Sequence, residues 1–249
     1  MRGRLRQAAK LAAQATAALT AGEQQPPAHH PGPAALAALA WVHLERNELR
    51  EAGSRLTQAH AALSASPDKL VSTVACLAAA IGNLAEGHPR VAAEMAGKAR
   101  CGWSVPPWLE QRLTSVESRA RAAAGDIRAA LAVAERASRG SSPEAAVTLA
   151  YAWAAAGDHN KARHALAPAL TAGGGAPERV RLQAWLVDAQ LSYGSGDHAR
   201  GRRSLESALR LGEREQLRLP LAMERTWLGP VLRATLNWPA PTGNCLGPA

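Results

Sequence analysis

Apolar positions in this chain recur at three- and four-residue spacing and hardly ever alternate. Leu5, Ala8, Ala9 and Ala12 mark one helix face at the start. Continued along the chain between its Gly, Pro and Asn interruptions, the pattern predicts helices near 4–20, 34–46, 49–65, 69–86, 89–100, 108–123, 127–138, 144–156, 159–171, 178–194, 198–211 and 221–236.

The interruptions are repetitive. A Gly or Asn is followed five positions later by a small residue in Gly3–Ala8, Asn47–Ala52, Gly87–Ala92, Gly125–Ala130, Gly157–Ala162 and Gly196–Gly201. Gly or Asn can take the left-handed conformation that ends one helix, and the Asp that often follows can cap the next. The small residue lets the two helices approach closely, with Leu56, Leu131, Leu166 and Leu205 on the buried side of the second helix. The unit is a helical hairpin. Successive junctions lie 44, 40, 38, 32 and 39 residues apart, and Pro-containing insertions such as 24–33, 104–107, 138–143 and 173–177 account for the irregularity. One helical domain is expected over 1–237, followed by a flexible tail at 238–249.

Composition narrows the class further. Alanine fills about a quarter of all positions, there is no Phe, and only Ile81 and Ile127 supply isoleucine, which favours closely packed helices over a sandwich, a barrel or a parallel α/β sheet. Cys76, Cys101 and Cys245 are too scattered for a disulfide framework or a CxxC site, so a reducing cytoplasm is the expected location. The net charge of +9 comes mainly from arginines spread along the chain, the pattern of solvated helix faces. The longest uncharged run, Leu70–Ala85, is too short and too polar to span a bilayer. The basic, acid-free first twenty-two residues imitate a leader peptide, but Gln14, Thr16 and Thr20 interrupt the apolar stretch, and an amphipathic helix is the expectation.

The junction phrases and Pro-bounded alanine-rich helices resemble tetratricopeptide repeats. More narrowly, Gly3-Arg-Leu-Arg-Gln-Ala-Ala9, Leu39-Ala-Trp-Val-His-Leu-Glu-Arg-Asn47, Pro107-Trp-Leu with Ala123-Ala-Gly-Asp126, Ser204-Leu-Glu-Ser-Ala-Leu-Arg-Leu211 and Met223-Glu-Arg-Thr-Trp-Leu-Gly-Pro-Val-Leu232 resemble the helical repeat region of MalT-like, LuxR-type transcriptional regulators. The resemblance implies an all-α, right-handed α-solenoid of antiparallel hairpins. In function it implies a ligand-sensing or protein-interaction domain without its own ATPase or DNA-binding module, a fragment or truncated relative of such a regulator. Because the chain begins on a junction phrase, its first helix is expected to lack a partner, and either to associate with a second copy through that end or to fray.

Motifs for chemistry are absent from the sequence. Neither G-x-x-x-x-G-K-[ST], G-x-S-x-G nor H-E-x-x-H occurs, so no enzyme, catalytic residue or cofactor is expected. His29, His30, His88, His159 and His198 read as loop and junction residues, Cys101 as a small apolar residue at a hairpin boundary, and no metal site is expected. Glu213 and Glu215, among arginines, read as a solvated face.

What remains is the concave face of the array, lined by the first helix of each hairpin. The tetratricopeptide register puts Trp41, Leu44, Glu45, Ile81, Leu84, Arg112, Arg119, Tyr151, Gln183, Gln190 and Tyr193 there. Trp41, Glu45, Arg112, Arg119, Tyr151, Gln190 and Tyr193 are the candidate binding residues, for a protein, a peptide or a small anionic metabolite. The same aromatics would equally serve to pack neighbouring hairpins, and both readings stand at this level. A rival from another class is a basic protein binding nucleic acid through the arginines of the helices near 4–20 and 198–218, where Arg200, Arg202 and Arg203 form a local patch that Glu206, Glu213 and Glu215 dilute. Sequence-specific DNA binding by this chain alone is not expected.

Overall fold

The computed structural model describes residues 32–138, 142–172 and 175–234, together with Gln7, Lys10, Leu11 and Gln14. The expected partnerless helix near 4–20, the loop at 24–31 and the tail at 238–249 therefore lie wholly or mostly outside the described residues.

Among the described residues there are helices and no strands. They are α1 (Pro33–Glu45), α2 (Leu49–Ala65), α3 (Lys69–Ala85), α4 (Pro89–Cys101), α5 (Pro107–Ala123), α6 (Ile127–Ser138), α7 (Pro143–Ala155), α8 (His159–Thr171), α9 (Glu178–Gly194), α10 (His198–Glu215), α11 (Leu219–Met223) and α12 (Arg225–Ala234). Expected and observed bounds agree closely through α9. They part at the end, where α10 runs on to Glu215 and the single helix expected over 221–236 is two, divided at Glu224.

Consecutive helices pair as α1/α2, α3/α4, α5/α6, α7/α8 and α9/α10, and the first member of each pair also packs on the first member of the next. Each junction from Asn47 onward ends its first helix as predicted. Asn47 has φ 62° and Gly87, Gly125, Gly157 and Gly196 have φ between 80° and 89°, the left-handed turn that an L side chain disfavours. The side chains of Asp158 and Asp197 accept the Lys161 and Arg200 backbone N–H groups, capping α8 and α10. The small residues that follow, Ala52, Ala92, Ala130, Ala162 and Gly201, are all buried. A Cβ on Gly201 would stand 2.9 Å from the Tyr193 ring, so a glycine there is what lets α9 and α10 close. Of the four expected core leucines, Leu56, Leu166 and Leu205 are buried, whereas Leu131 is half-buried and Val133 takes the core position of α6.

Burial separates the two kinds of helix. Second helices bury one stripe, as α2 does with Ala52, Leu56, Ala59 and Leu63. First helices bury residues most of the way round, as α9 does from Val180 through Leu182, Leu186 and Val187 to Leu191. They need that because they are covered on a further side by the end of the chain. The short α11 packs on α9, α1 and α3, and Arg218 donates its backbone N–H to the Glu45 carbonyl at 2.8 Å. Arg179 at the start of α9 pairs with the Glu45 carboxylate at the end of α1. The last hairpin thus returns to the first, with residues 217–228 between them.

Candidate functional site

The inner face formed by α1, α3, α5, α7 and α9 gathers charge to a degree that scattered arginines do not suggest. Arg112 and Arg119 stand two turns apart on α5, and Arg179 opens α9. Each meets a carboxylate: Arg112 Nε lies 3.0 Å from Glu144, Arg119 pairs with Glu224, and Arg179 pairs with Glu45. Three cations and three anions so share a region of low exposure, where a pair is retained only with good geometry on both sides.

Glu224 is the best-satisfied member. Its Oε1 accepts from Arg119 and from the Tyr151 hydroxyl, the latter at 2.9 Å, and its Oε2 accepts from Trp227 Nε1 at 2.7 Å. The Arg119 guanidinium also lies over the Tyr151 ring, 4.3 Å from its centre. Burial works against the Arg119 charge, but Tyr151 and Glu224 beside it raise its pKa above the ordinary value. Burial, and then Glu224, push the Tyr151 hydroxyl well up, which keeps it a proton donor to that carboxylate. Arg179 shifts the other way, lowered by burial and by Arg112 and Arg119 despite Glu45 and Glu144. Its Nε and Glu45 Oε2 are buried without a hydrogen-bond partner.

These positions answer where the expected site residues stand. Arg119 and Tyr151 are brought together, and Arg112 lies near the Trp41 ring at 5.9 Å. Glu45 joins them through Arg179. Leu44 and Ile81 are buried core residues, and Leu84 packs on Ala92, Ala93 and Ala120. Tyr193 does not face its expected companions, because its ring is held inside the α9/α10 hairpin by Gly201 and His198. Gln183 lines the inner face beside Arg119 and Tyr151, and half-buried Gln190 follows two turns later on the same side of α9. Glu144, Arg179 and Glu224 were missed by the sequence reading. Glu224 did carry a signal, as the lone acid in residues 216–249, set in a leucine-rich run.

The inner face is not an open groove at this point. Between Ser115, Arg119, Thr148, Tyr151 and Gln183 a cavity of about 10 Å³ remains, about the room one water requires. A larger cleft of about 390 Å³ lies on the outside between α5 and α6, lined by Arg100, Glu110, Gln111, Thr114, Val133 and Arg136. Among the described residues no group of three or more His, Cys, Asp or Glu side chains could hold a metal ion, and no helix is long and apolar enough to cross a membrane. The arginines of the rival basic patch are largely matched: Arg200 meets the buried Asp188 at 2.6 Å and Arg202 meets Glu206 at 3.4 Å.

Comparison with family models, curated proteins and solved structures finds no match to this chain.

Proposed function

We propose that the chain is a non-enzymatic protein-interaction domain, a right-handed tetratricopeptide-like solenoid whose inner helices form the binding surface. One observation carries this reading: residues 217–228 lie against all five first helices, through α11 on α1, α3 and α9 and through Glu224 on Arg119 of α5 and Tyr151 of α7. A surface that holds a leucine-bearing segment through one buried carboxylate in this way has the chemistry of a peptide receptor. The cavity left beside it has no room for a metabolite, which favours a protein segment over a small anion. The resemblance to MalT-like regulators extends the proposal to a sensing role alongside nucleotide- and DNA-binding modules, and the cysteine usage to a cytoplasmic setting.

A photo-crosslinking residue at Gln190, compared with one at Arg203 on the outer helix α10, tests the reading in cells. Adducts with another protein are expected from Gln190 and not from Arg203. Equal adducts at both positions, or adducts at Arg203 alone, would overturn the inner face as the binding surface.

A further inference from the structure

We infer that residues 217–228 are an internal stand-in for the partner: the inner face receives a short amphipathic segment of another protein carrying one carboxylate flanked by leucines, and that segment competes with the chain's own arm. The inference rests on the reading of the inner face as a binding surface, and adds what binds there and what must leave.

The arm is attached as a separate peptide would be. Its anchors are side chains: Leu219, Leu221 and Leu228 are fully buried, and Glu224 is the buried ion between them. Leu219 belongs to the core of the first hairpins, whereas Leu217, Leu221 and Leu228 belong to the core around α9 and α10. By backbone hydrogen bonds the arm is tied to α10 through the Leu217 N–H on the Gly212 carbonyl and to α1 through the Arg218 N–H on the Glu45 carbonyl. The arm is also unlike the helices it covers. It is broken at Glu224, carries Pro230 within its second piece, and exposes Arg225, Thr226 and Pro230.

The connection to α10 is a sharp turn. Gln216 has φ 59°, a left-handed conformation that costs energy in a residue other than glycine. One turn earlier, within α10, Gly212 is in close contact with the returning chain, since a Cβ there would lie 3.0 Å from Leu221 and 3.3 Å from the Leu217 carbonyl. A sharp turn next to a side-chain-anchored segment lets the arm leave without unwinding α10. Charge then specifies the incoming segment. Arg119 and the Tyr151 hydroxyl converge on one point, and with Glu224 withdrawn they leave a guanidinium and a hydroxyl to be satisfied by another carboxylate.

Because the arm is tethered, its effective concentration at the face is on the order of millimolar, and a free segment of equal strength binds the parent chain weakly. A fluorescent peptide of residues 216–230 is the probe, with its Glu224→Gln form as the control, titrated against the full chain and against full chains carrying Glu224→Gln or Glu224→Gln with Arg119→Ala. The Glu224→Gln chain is expected to bind the parent peptide at least about tenfold more tightly than the parent chain does, and the gain should vanish with Arg119→Ala or with the control peptide. Equal binding throughout, or no binding to the Glu224→Gln chain, would overturn the inference. Hydrogen exchange on the unmodified chain provides a second test independent of any variant: residues 217–228 should open more readily than α9, and exchange of both only through global unfolding would make the arm a fixed core element. A dimer lost on Glu224→Gln substitution would assign the face to a second copy's arm and likewise overturn it. A specific Gln190 adduct combined with no peptide binding would sink this inference alone, leaving the interaction domain standing.

Discussion

At the scale of single residues, Glu224 and Tyr151 separate two meanings of a polar contact. Tyr151→Phe removes one hydroxyl from a carboxylate that keeps Arg119 and Trp227, so its cost is expected to be about 1–2 kcal/mol by urea denaturation. Glu224→Ala instead strands the Arg119 guanidinium, the Tyr151 hydroxyl and the Trp227 N–H together, and should cost about 3–5 kcal/mol. Glu178 is a different case. Its Oε2 is buried without a partner, and burial followed by the neighbouring Glu215 raises its pKa above the ordinary carboxylate value. The folded state therefore holds that proton more tightly than the unfolded chain, and stability is lost as pH rises from the ordinary carboxylate value of about 4.3. Glu178→Gln should flatten the stability profile above that pH, which thermal melts from pH 3 to pH 7 would show. That Arg119 and Tyr151 share a face follows from helical spacing within a repeat, so it was legible. Their acid was not, because Glu224 lies outside the repeats and reaches them only through tertiary structure.

At the scale of elements, the sequence reading was strongest where local chemistry decides. The turn from α7 to α8 needs a left-handed residue at Gly157, where φ is 80°, and a cap at Asp158. Gly157→Ala should cost about 1–2 kcal/mol and Asp158→Ala about 1 kcal/mol, both measurable as shifts in the denaturation midpoint. Nothing touches a Cβ built on Gly157, so the first cost is conformational rather than steric. The same local rules failed beyond Glu215. Leu219, Leu221 and Leu228 have the apolar character of another amphipathic helix, yet the segment divides at Glu224, ahead of Pro230, whose ring crowds the carbonyl four residues before it. Tyr193 shows the other kind of miss: helical spacing placed it on the inner side, but the missing side chain at Gly201 opened a slot on the opposite one.

At the scale of the molecule, an array of hairpins has stability that is nearly a sum over neighbours, so its ends can open independently. The Arg179–Glu45 pair and the Arg218–Glu45 backbone bond change that, since α1 and the last hairpin now support each other. Unfolding of the parent is expected to be a single transition by circular dichroism and by tryptophan fluorescence. Glu45→Ala leaves Arg179 buried without its acid and should cost about 3–5 kcal/mol, with the two probes no longer coincident as the first hairpins open ahead of the rest. No repeat period announces such a closure. It depends on how far each hairpin rotates against the next, a quantity set by the combined packing of alanines such as Ala78, Ala120 and Ala150 and not by any one phrase.

The closure also imposes an order on synthesis. Glu45 and the leucine-lined inner surfaces of α1 and α3 emerge from the ribosome long before Leu219 and Leu221, and the covering segment arrives only after α10 has been made. During that interval a nascent chain displays the inner face unshielded, in the state that the finished protein conceals. On the proposed function, a partner would meet this surface first, and the arm would be the competitor that comes late.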